Sequence, residues 1–379
     1  MKALVTAAGN TALIKDIPIP EPGPKEILIK VHCVALNPVD SLYVVHPADQ
    51  TPGRVVGSDV AGTIEKIGTE VAGWDVGDRV AGLLQGATSG NPRPGGFAEY
   101  AILEEDLAVK IPERVSFAEA ATFPLCSLTA AQALFIRLEI NAPFASPFQF
   151  QETFESSPSI LVYSGATSLG LFTIGLARNL RTSGGYPYRI FATASPKNHD
   201  KLLALGVEAV YDYRSPAWPE RLRNASGGIS YAVDCISEDD STALISQTFV
   251  EGGGKIAVIR KSAWRKEGVR QNVIPLYGAA WSGLGHEILY NDETLAASPS
   301  WRAFTVAFFK YLSAGSLEDS SKFPIPPNPV RIMPGGLERM VEDGFTLLGS
   351  GKVNERILNA SGPDWMRPIS GEKLVYKVL

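Results

Sequence analysis

Residues 160–177 constrain this chain more than any other stretch. The apolar run Ile160-Leu161-Val162-Tyr163 passes through Ser164-Gly165-Ala166-Thr167-Ser168-Leu169-Gly170 into Leu171-Phe172-Thr173-Ile174-Gly175-Leu176-Ala177. A buried strand, a turn of small residues and an apolar helix bring unpaired backbone N–H groups and the positive end of a helix to one place, where a pyrophosphate can bind. The turn lacks the complete G-x-G-x-x-G pattern and is also compatible with a plain strand-to-helix connection, so its surroundings decide. From Ser159 onward apolar strand-length runs (160–163, 189–194, 209–211, 231–236, 255–259) alternate with helical ones (169–180, 201–205, 242–249). That alternation predicts a parallel sheet with helices on both faces, a doubly wound α/β architecture that binds nucleotides.

The second strand of this pattern ends in Ser195-Pro196-Lys197-Asn198, about 25 residues past Gly170, where an NAD-preferring enzyme is expected to place Asp or Glu on the ribose hydroxyl. A carboxylate there would repel a 2′-phosphate. Ser195 can hydrogen-bond one and Lys197 can neutralise it, which favours NADPH over NADH. The competing reading is a solvated lysine in the first turn of a helix.

Residues 1 to roughly 125 have a different texture. Short apolar segments such as 26–31 and 60–67 are separated by Gly and Pro turns, as in Pro20-Glu21-Pro22-Gly23-Pro24, and read as a mainly β, barrel-like domain. A helical stretch at 130–138 follows, then a Pro-, Phe- and Ser-rich segment, 141–158, that reads as an inserted loop. The tail ends in the strand-like Glu372-Lys373-Leu374-Val375-Tyr376-Lys377-Val378 and is expected to return to the first domain. With 379 residues, 45% of them apolar, two domains with a cleft between them are expected. The net charge of −5 is small and the basic residues are scattered, which argues against a nucleic-acid partner. The N-terminus runs into a strand pattern without a signal-peptide block, and no apolar run is expected to reach the roughly 20 residues needed to span a bilayer, so the expected location is cytoplasmic. Cys33, Cys126 and Cys235 are far apart and form no C-x-x-C pair; they read as reduced, buried thiols.

The first domain carries, in order, Asn37-Pro38-Val39-Asp40, Gly57-Ser58-Asp59-Val60-Ala61-Gly62, Val76-Gly77-Asp78-Arg79-Val80, Gly95-Gly96-Phe97-Ala98-Glu99-Tyr100, Ala120-Ala121-Thr122-Phe123-Pro124 and Thr129-Ala130-Ala131. With these motifs the chain resembles a medium-chain dehydrogenase/reductase over nearly its whole length. The resemblance implies a GroES-like barrel domain (1–128 and 320–379) and a Rossmann-type NADPH domain (129–319). Zinc-using members place Cys where Asn37 stands and His where Ser58 stands, and neither residue here can replace those ligands, so the zinc-free branch of quinone and enoyl reductases is implied and no metal is expected. Within that branch the Pro-rich loop, Ser195-Pro196-Lys197-Asn198, Val210-Tyr211-Asp212-Tyr213-Arg214, Asp234-Cys235-Ile236 and Ser370-Gly371-Glu372-Lys373-Leu374-Val375 look like the enoyl reductases that act in trans with fungal polyketide synthases. One departure is Ser41-Leu42-Tyr43 after the N-P-x-D motif, where a basic residue often follows.

Carried over residue by residue, the resemblance implies a cofactor site of Asp40 and Ser41 near the nicotinamide and Ala166, Thr167, Ser168 and Leu169 around the pyrophosphate. Ser195, Lys197, Asn198 and Tyr213 would take the 2′-phosphate, and Val258 and Ile259 the nicotinamide ribose. Ser370 and Gly371 are included, as is Thr129 at the carboxamide, where a helix cap is the equal alternative. The acyl surface is expected at Phe123, Pro124, Leu125, Cys126 and Ser127 and at Tyr277, Gly278, Ala279, Ala280, Trp281 and Ser282, the small residues leaving room for an extended chain. The implied reaction delivers hydride to the β carbon of an α,β-unsaturated acyl thioester brought by a synthase carrier protein, with donors on the enolate oxygen. Tyr43, Asp40 and solvent are all open as proton source. A quinone or small-enone reductase and a non-catalytic NADPH-binding scaffold are the alternatives. The charged stretch 260–268 argues against edge-strand dimerisation and for a monomer.

Overall fold

The computed structural model describes residues 1–47, 51–88, 93–152, 154–290, 293–353, 356 and 362–378. They divide into two compact units, residues 1–125 with 281–379, and residues 126–280.

The first unit is built on a curled seven-stranded sheet in the order Val330–Met333, Lys373–Lys377, Glu26–Ala35, Asp59–Ile67, Arg79–Leu83, Ala108–Lys110, with Tyr100–Glu104 also pairing to Glu26–Ala35. The long strand Glu26–Ala35 changes partners along its length and carries register shifts between Leu28 and Ile29 and between Val31 and Cys33. Such irregularities let a sheet curl far enough to enclose its own core. Ile27, Ile29, Val31, Phe97, Leu103 and Tyr376 fill that core. Gly62 is required by close approach, since a Cβ there would lie 2.0 Å from the Lys30 carbonyl oxygen. The tail strand Lys373–Lys377 returns to this sheet, antiparallel to Glu26–Ala35 and parallel to Val330–Met333, as its sequence suggests.

The expected boundary at 319 is corrected to 280. Helix Pro299–Ser313 buries Phe304, Phe308, Phe309 and Leu312, and Arg302 on it binds Glu104 at 2.7 Å and Asp106 at 2.5 Å, both in the first unit. The charge pattern of a helix does not announce which sheet it will dock on. The apolar run Phe117–Arg137 is, by length and composition, long enough to cross a membrane, against the expectation that no such run exists, but most of it is buried within the protein.

The second unit is a six-stranded sheet in the order Ala209–Tyr211, Arg189–Thr193, Ser159–Tyr163, Tyr231–Asp234, Gly254–Val258, Val273–Tyr277, with every neighbouring pair parallel. Strand order reverses beside Ser159–Tyr163, whose five residues are all buried. This is the doubly wound arrangement, and its switch point lies at the C-terminal end of the strand that feeds the glycine turn. The insert 141–158 carries no helix or strand among its described residues; Asn141 holds Phe150 by paired side-chain-to-backbone bonds of 2.9 Å.

Candidate cofactor and substrate site

The turn after Ser159–Tyr163 is fixed by its neighbour strand. Ser164 donates its N–H to the Thr193 hydroxyl and Gly165 donates to the Thr193 carbonyl, both at 2.9 Å. Ser164 takes φ +60°, a left-handed conformation that few non-glycine residues adopt. Thr167 caps helix Ser168–Ala177: its hydroxyl donates to the Ser164 carbonyl at 2.9 Å and accepts from the Gly170 N–H at 3.0 Å. Gly170 cannot be larger, because a Cβ would meet the Gly165 Cα at 2.7 Å. The helix start therefore lies directly against the strand, and its first-turn N–H groups have no intrahelical acceptors. Ala166, Thr167 and Ser168 are half-buried, so the turn is open to an anion while Leu169 packs inward. These residues fit a dinucleotide pyrophosphate.

The next two strands place the remaining polar groups. Ala194 donates to the Tyr211 carbonyl at 2.9 Å, which sets the loops after Arg189–Thr193 and after Ala209–Tyr211 side by side. Asn198 donates its side-chain amide to the Ser195 hydroxyl at 3.2 Å, Lys197 is exposed, and Tyr213 is 42% exposed. The only carboxylate in the second loop, Asp212, is held by Arg214 at 2.9 and 2.8 Å, and the same guanidinium lies 5.8 Å from the Tyr213 ring centre. Ser195, Lys197 and Asn198 thus lie on one of two adjacent loops and Tyr213 on the other, where Arg214 adds a cation that the sequence reading left unassigned.

In the first unit the Asn-Pro-Val-Asp motif opens helix Pro38–Val45. Asp40 is fully buried; one oxygen accepts the Asn37 N–H at 2.7 Å and the other the Ser58 hydroxyl at 2.6 Å. Burial pushes its carboxyl up to about 7, against the opposing pull of the Ser58 and Asn37 bonds. Asp59, also fully buried, accepts from the Asn37 amide at 2.9 Å, from the Leu125 N–H at 2.7 Å and from the Lys373 ammonium at 2.5 Å; Lys373 also donates to the Thr122 carbonyl at 3.1 Å. Asn37 and Ser58 are therefore occupied by two buried carboxylates, and among the described residues no group of three or more His, Cys, Asp or Glu is placed to hold a metal. Ser41 is buried and donates to the Gly349 carbonyl at 2.6 Å.

Several expected contact residues point inward in this structure. Phe123 is fully buried with its ring centre 4.2 Å from that of Phe323, and Pro124, Leu125 and Ser127 are buried; Cys126 is half-buried. Val258 is buried, and Ile259 is half-buried with its N–H on the Ser237 hydroxyl at 2.9 Å. Thr129, Tyr277 and Ser282 are half-buried; Ala279, Ala280 and Trp281 are buried. The idea that Gly278 leaves open space is corrected: a Cβ there would lie 2.5 Å from an Arg137 nitrogen, so a buried guanidinium fills that space. Ser370 is half-buried, and Gly371, at φ +66°, turns the chain into the Lys373–Lys377 strand. The sequence reading missed Arg137, which stands in no motif, and the role of Lys373, which was quoted only as part of Ser370–Val375.

A curled β unit and a doubly wound unit with a capped strand–turn–helix at its switch point have the fold of a medium-chain dehydrogenase/reductase. Residues 23–113 match the alcohol dehydrogenase GroES-like domain. The trans-enoyl reductase buaC of Petromyces alliaceus is 31% identical, over 97% of this chain and 94% of that protein. The trans-enoyl reductase ACTTS2 of Alternaria alternata is 33% identical, over 100% of this chain and 98% of that one. The CurK enoyl reductase crystal structure superposes with a TM-score of 0.71 at 19% identity, covering 99% of this chain and 98% of that one, a likeness of fold. The chain belongs to the trans-enoyl reductase family of medium-chain dehydrogenases/reductases and is an oxidoreductase of the nicotinamide-cofactor type.

Proposed function

We propose that this protein uses NADPH to reduce an α,β-unsaturated acyl thioester presented in trans by the carrier protein of a polyketide synthase. The observation that carries the reading is relatedness to trans-enoyl reductases over essentially the whole chain. The turn at 164–170 would hold the pyrophosphate, and Ser195, Lys197, Asn198 and Tyr213 the 2′-phosphate, with Arg214 beside them. Val258, Ile259, Thr129, Ser370, Gly371 and the segment around Asp40 and Ser41 complete the cofactor assignment. NADPH, when bound, supplies a hydride for the β carbon of the acyl chain.

The protein's own part is to orient and to manage charge. Polar donors on the acyl carbonyl would stabilise the enolate that develops as the β carbon is reduced. Asp40, enclosed and bonded on both oxygens, is poorly placed to deliver the following proton, which leaves Tyr43 or solvent. Cofactor choice rests on charge: replacing Lys197 by Ala and Ser195 by Asp removes a cation from the 2′-phosphate and sets a carboxylate against it. Loss of a charge-assisted contact costs about 1.5–3 kcal/mol, so NADPH affinity should fall by tenfold or more while NADH affinity changes little. Fluorescence titration with both cofactors tests this, and an equal loss for both would sink the NADPH assignment. Mass analysis of the product from an enoyl thioester, set against a short free enone, separates thioester reduction from small-enone or quinone reduction.

A further inference from the structure

Helix Pro124–Gln132 does not end as an ordinary helix. It widens into a π-helical turn, Ala133–Arg137, and the wider turn carries Arg137. The arginine side chain is buried, and one terminal nitrogen donates to the Gly278 carbonyl at 2.8 Å while the other reaches the Thr129 carbonyl at 3.5 Å. Its Nε has no hydrogen-bond partner among the described residues. Nor does any described carboxylate pair with it; Glu139, two residues on, is taken by Lys255. The ionisable group it does feel is the Tyr277 phenol, and burial pushes the guanidinium down to about 10. Five residues earlier on the same helix, Gln132 donates to the Ala280 carbonyl at 3.1 Å. Two side chains of one helical run thus hold alternate carbonyls of the three residues that follow the edge strand Val273–Tyr277.

Each feature of this arrangement is unfavourable by itself. A buried guanidinium without a counter-charge is destabilising, and an apolar side chain of similar volume would generally serve stability as well or better. A π-helical turn is rarer and less favourable than continued α-helix, and such turns gather at functional sites. Gly278 must also forgo a side chain, since a Cβ would collide with the guanidinium. Three costs converging on the placement of one short backbone segment indicate that the placement itself matters.

We propose that Arg137, aided by Gln132, is a positioning residue of the acyl site, fixing Gly278–Ala280 and the adjoining Tyr277 where the acyl chain passes. This rests on the assignment of Tyr277, Gly278, Ala279 and Ala280 to the acyl surface made above. Arg137 touches neither cofactor nor reacting atoms in this role; it acts through the backbone that it holds.

The test compares the full-length protein with Arg137→Met and Arg137→Lys. The probe is an N-acetylcysteamine thioester of a short 2-enoic acid with NADPH, read as kcat and KM separately, alongside NADPH affinity, thermal stability and amide exchange over 277–280. Loss of hydrogen bonds from a charged donor predicts a rise of about tenfold or more in thioester KM and in segment exchange for Arg137→Met. NADPH affinity, kcat at saturation and melting temperature should hold, and Arg137→Lys should recover part of the KM, because its ammonium can still reach the Gly278 carbonyl. Unchanged exchange overturns the clamp. Faster exchange with unchanged KM overturns the acyl role. A parallel loss of stability, NADPH affinity and kcat makes Arg137 a fold residue and overturns the proposal too. A wild type inactive on every enoyl thioester overturns the functional reading and the acyl half of this inference, while the exchange comparison still decides the clamp.

Discussion

Asp40 and Lys373 show how burial decides what a residue does. Asp40 lies out of water with both oxygens bonded, and its carboxyl is pushed up to about 7 because desolvation outweighs the help of Ser58 and Asn37. Since the folded pKa is above the unfolded one, the folded protein holds a proton at weakly acidic pH that the unfolded chain has released. The stabilisation is complete below about pH 4 and is lost as pH rises to about 7, at up to about 1.4 kcal/mol per pH unit. Asp40→Asn should remove this slope. Urea unfolding from pH 5 to 8 should show wild type losing stability relative to the variant as pH rises, and parallel curves would place the titration elsewhere. Lys373 poses the opposite problem, for it is the cation that bonds buried Asp59. Lys373→Met leaves that carboxylate without its ammonium and should cost about 3–5 kcal/mol, whereas Lys373→Met with Asp59→Asn, which removes the charge and keeps an acceptor oxygen among the Asn37 and Leu125 donors, should recover part of it. A double variant as unstable as the single one would show that the pair contributes more than mutual neutralisation. The sequence marked Asn37 and Ser58 as departures from a zinc site, but the partner of Asp59 lies 314 residues away, beyond any local pattern.

At the scale of elements, legibility followed periodicity and turn chemistry. The strand, capped helix and close-packed Gly170 of residues 159–177 could be read because each rests on neighbours within a few positions. The loops at 195–198 and 212–214 differ, since they lie side by side only through the parallel pairing of strands 18 positions apart. Gly278 was misread because a glycine needed for room and a glycine needed to admit a buried arginine are identical in sequence. The π-helical turn at Ala133–Arg137 has no compositional mark, as its residues are ordinary helix formers. Helix Pro299–Ser313 was assigned to the wrong unit because amphipathic spacing tells that a face will be buried and leaves open against what. Its Arg302 bonds to Glu104 and Asp106 depend on residues about 200 positions earlier.

At the scale of the whole molecule the question is whether the parallel sheet can extend into a second copy of the chain. One edge, Ala209–Tyr211, has three residues and offers little to pair with. The other, Val273–Tyr277, has five, and its hydrogen-bonding direction can be worked out. The Asn272 carbonyl accepts from the Gly254 N–H at 3.1 Å, so Asn272 faces the sheet, and by alternation Val273, Pro275 and Tyr277 face outward. Of those three, the Val273 N–H is bonded to the Arg270 carbonyl at 3.0 Å, and proline has no N–H to give. A pairing strand would therefore find at most one outward donor, on Tyr277, where a regular five-residue edge would offer three. A proline on the outer side is one of the recognised ways to close an edge. This is a stronger argument for a monomer than the charged stretch 260–268, which forms no strand and does not itself lie in the edge. The protein is expected to be monomeric in light scattering at micromolar concentration. Pro275→Val restores the central donor and should increase self-association as concentration rises. A stable wild-type dimer would refute the claim, and a dimer left intact by charged substitutions along 273–277 would place its interface away from this edge.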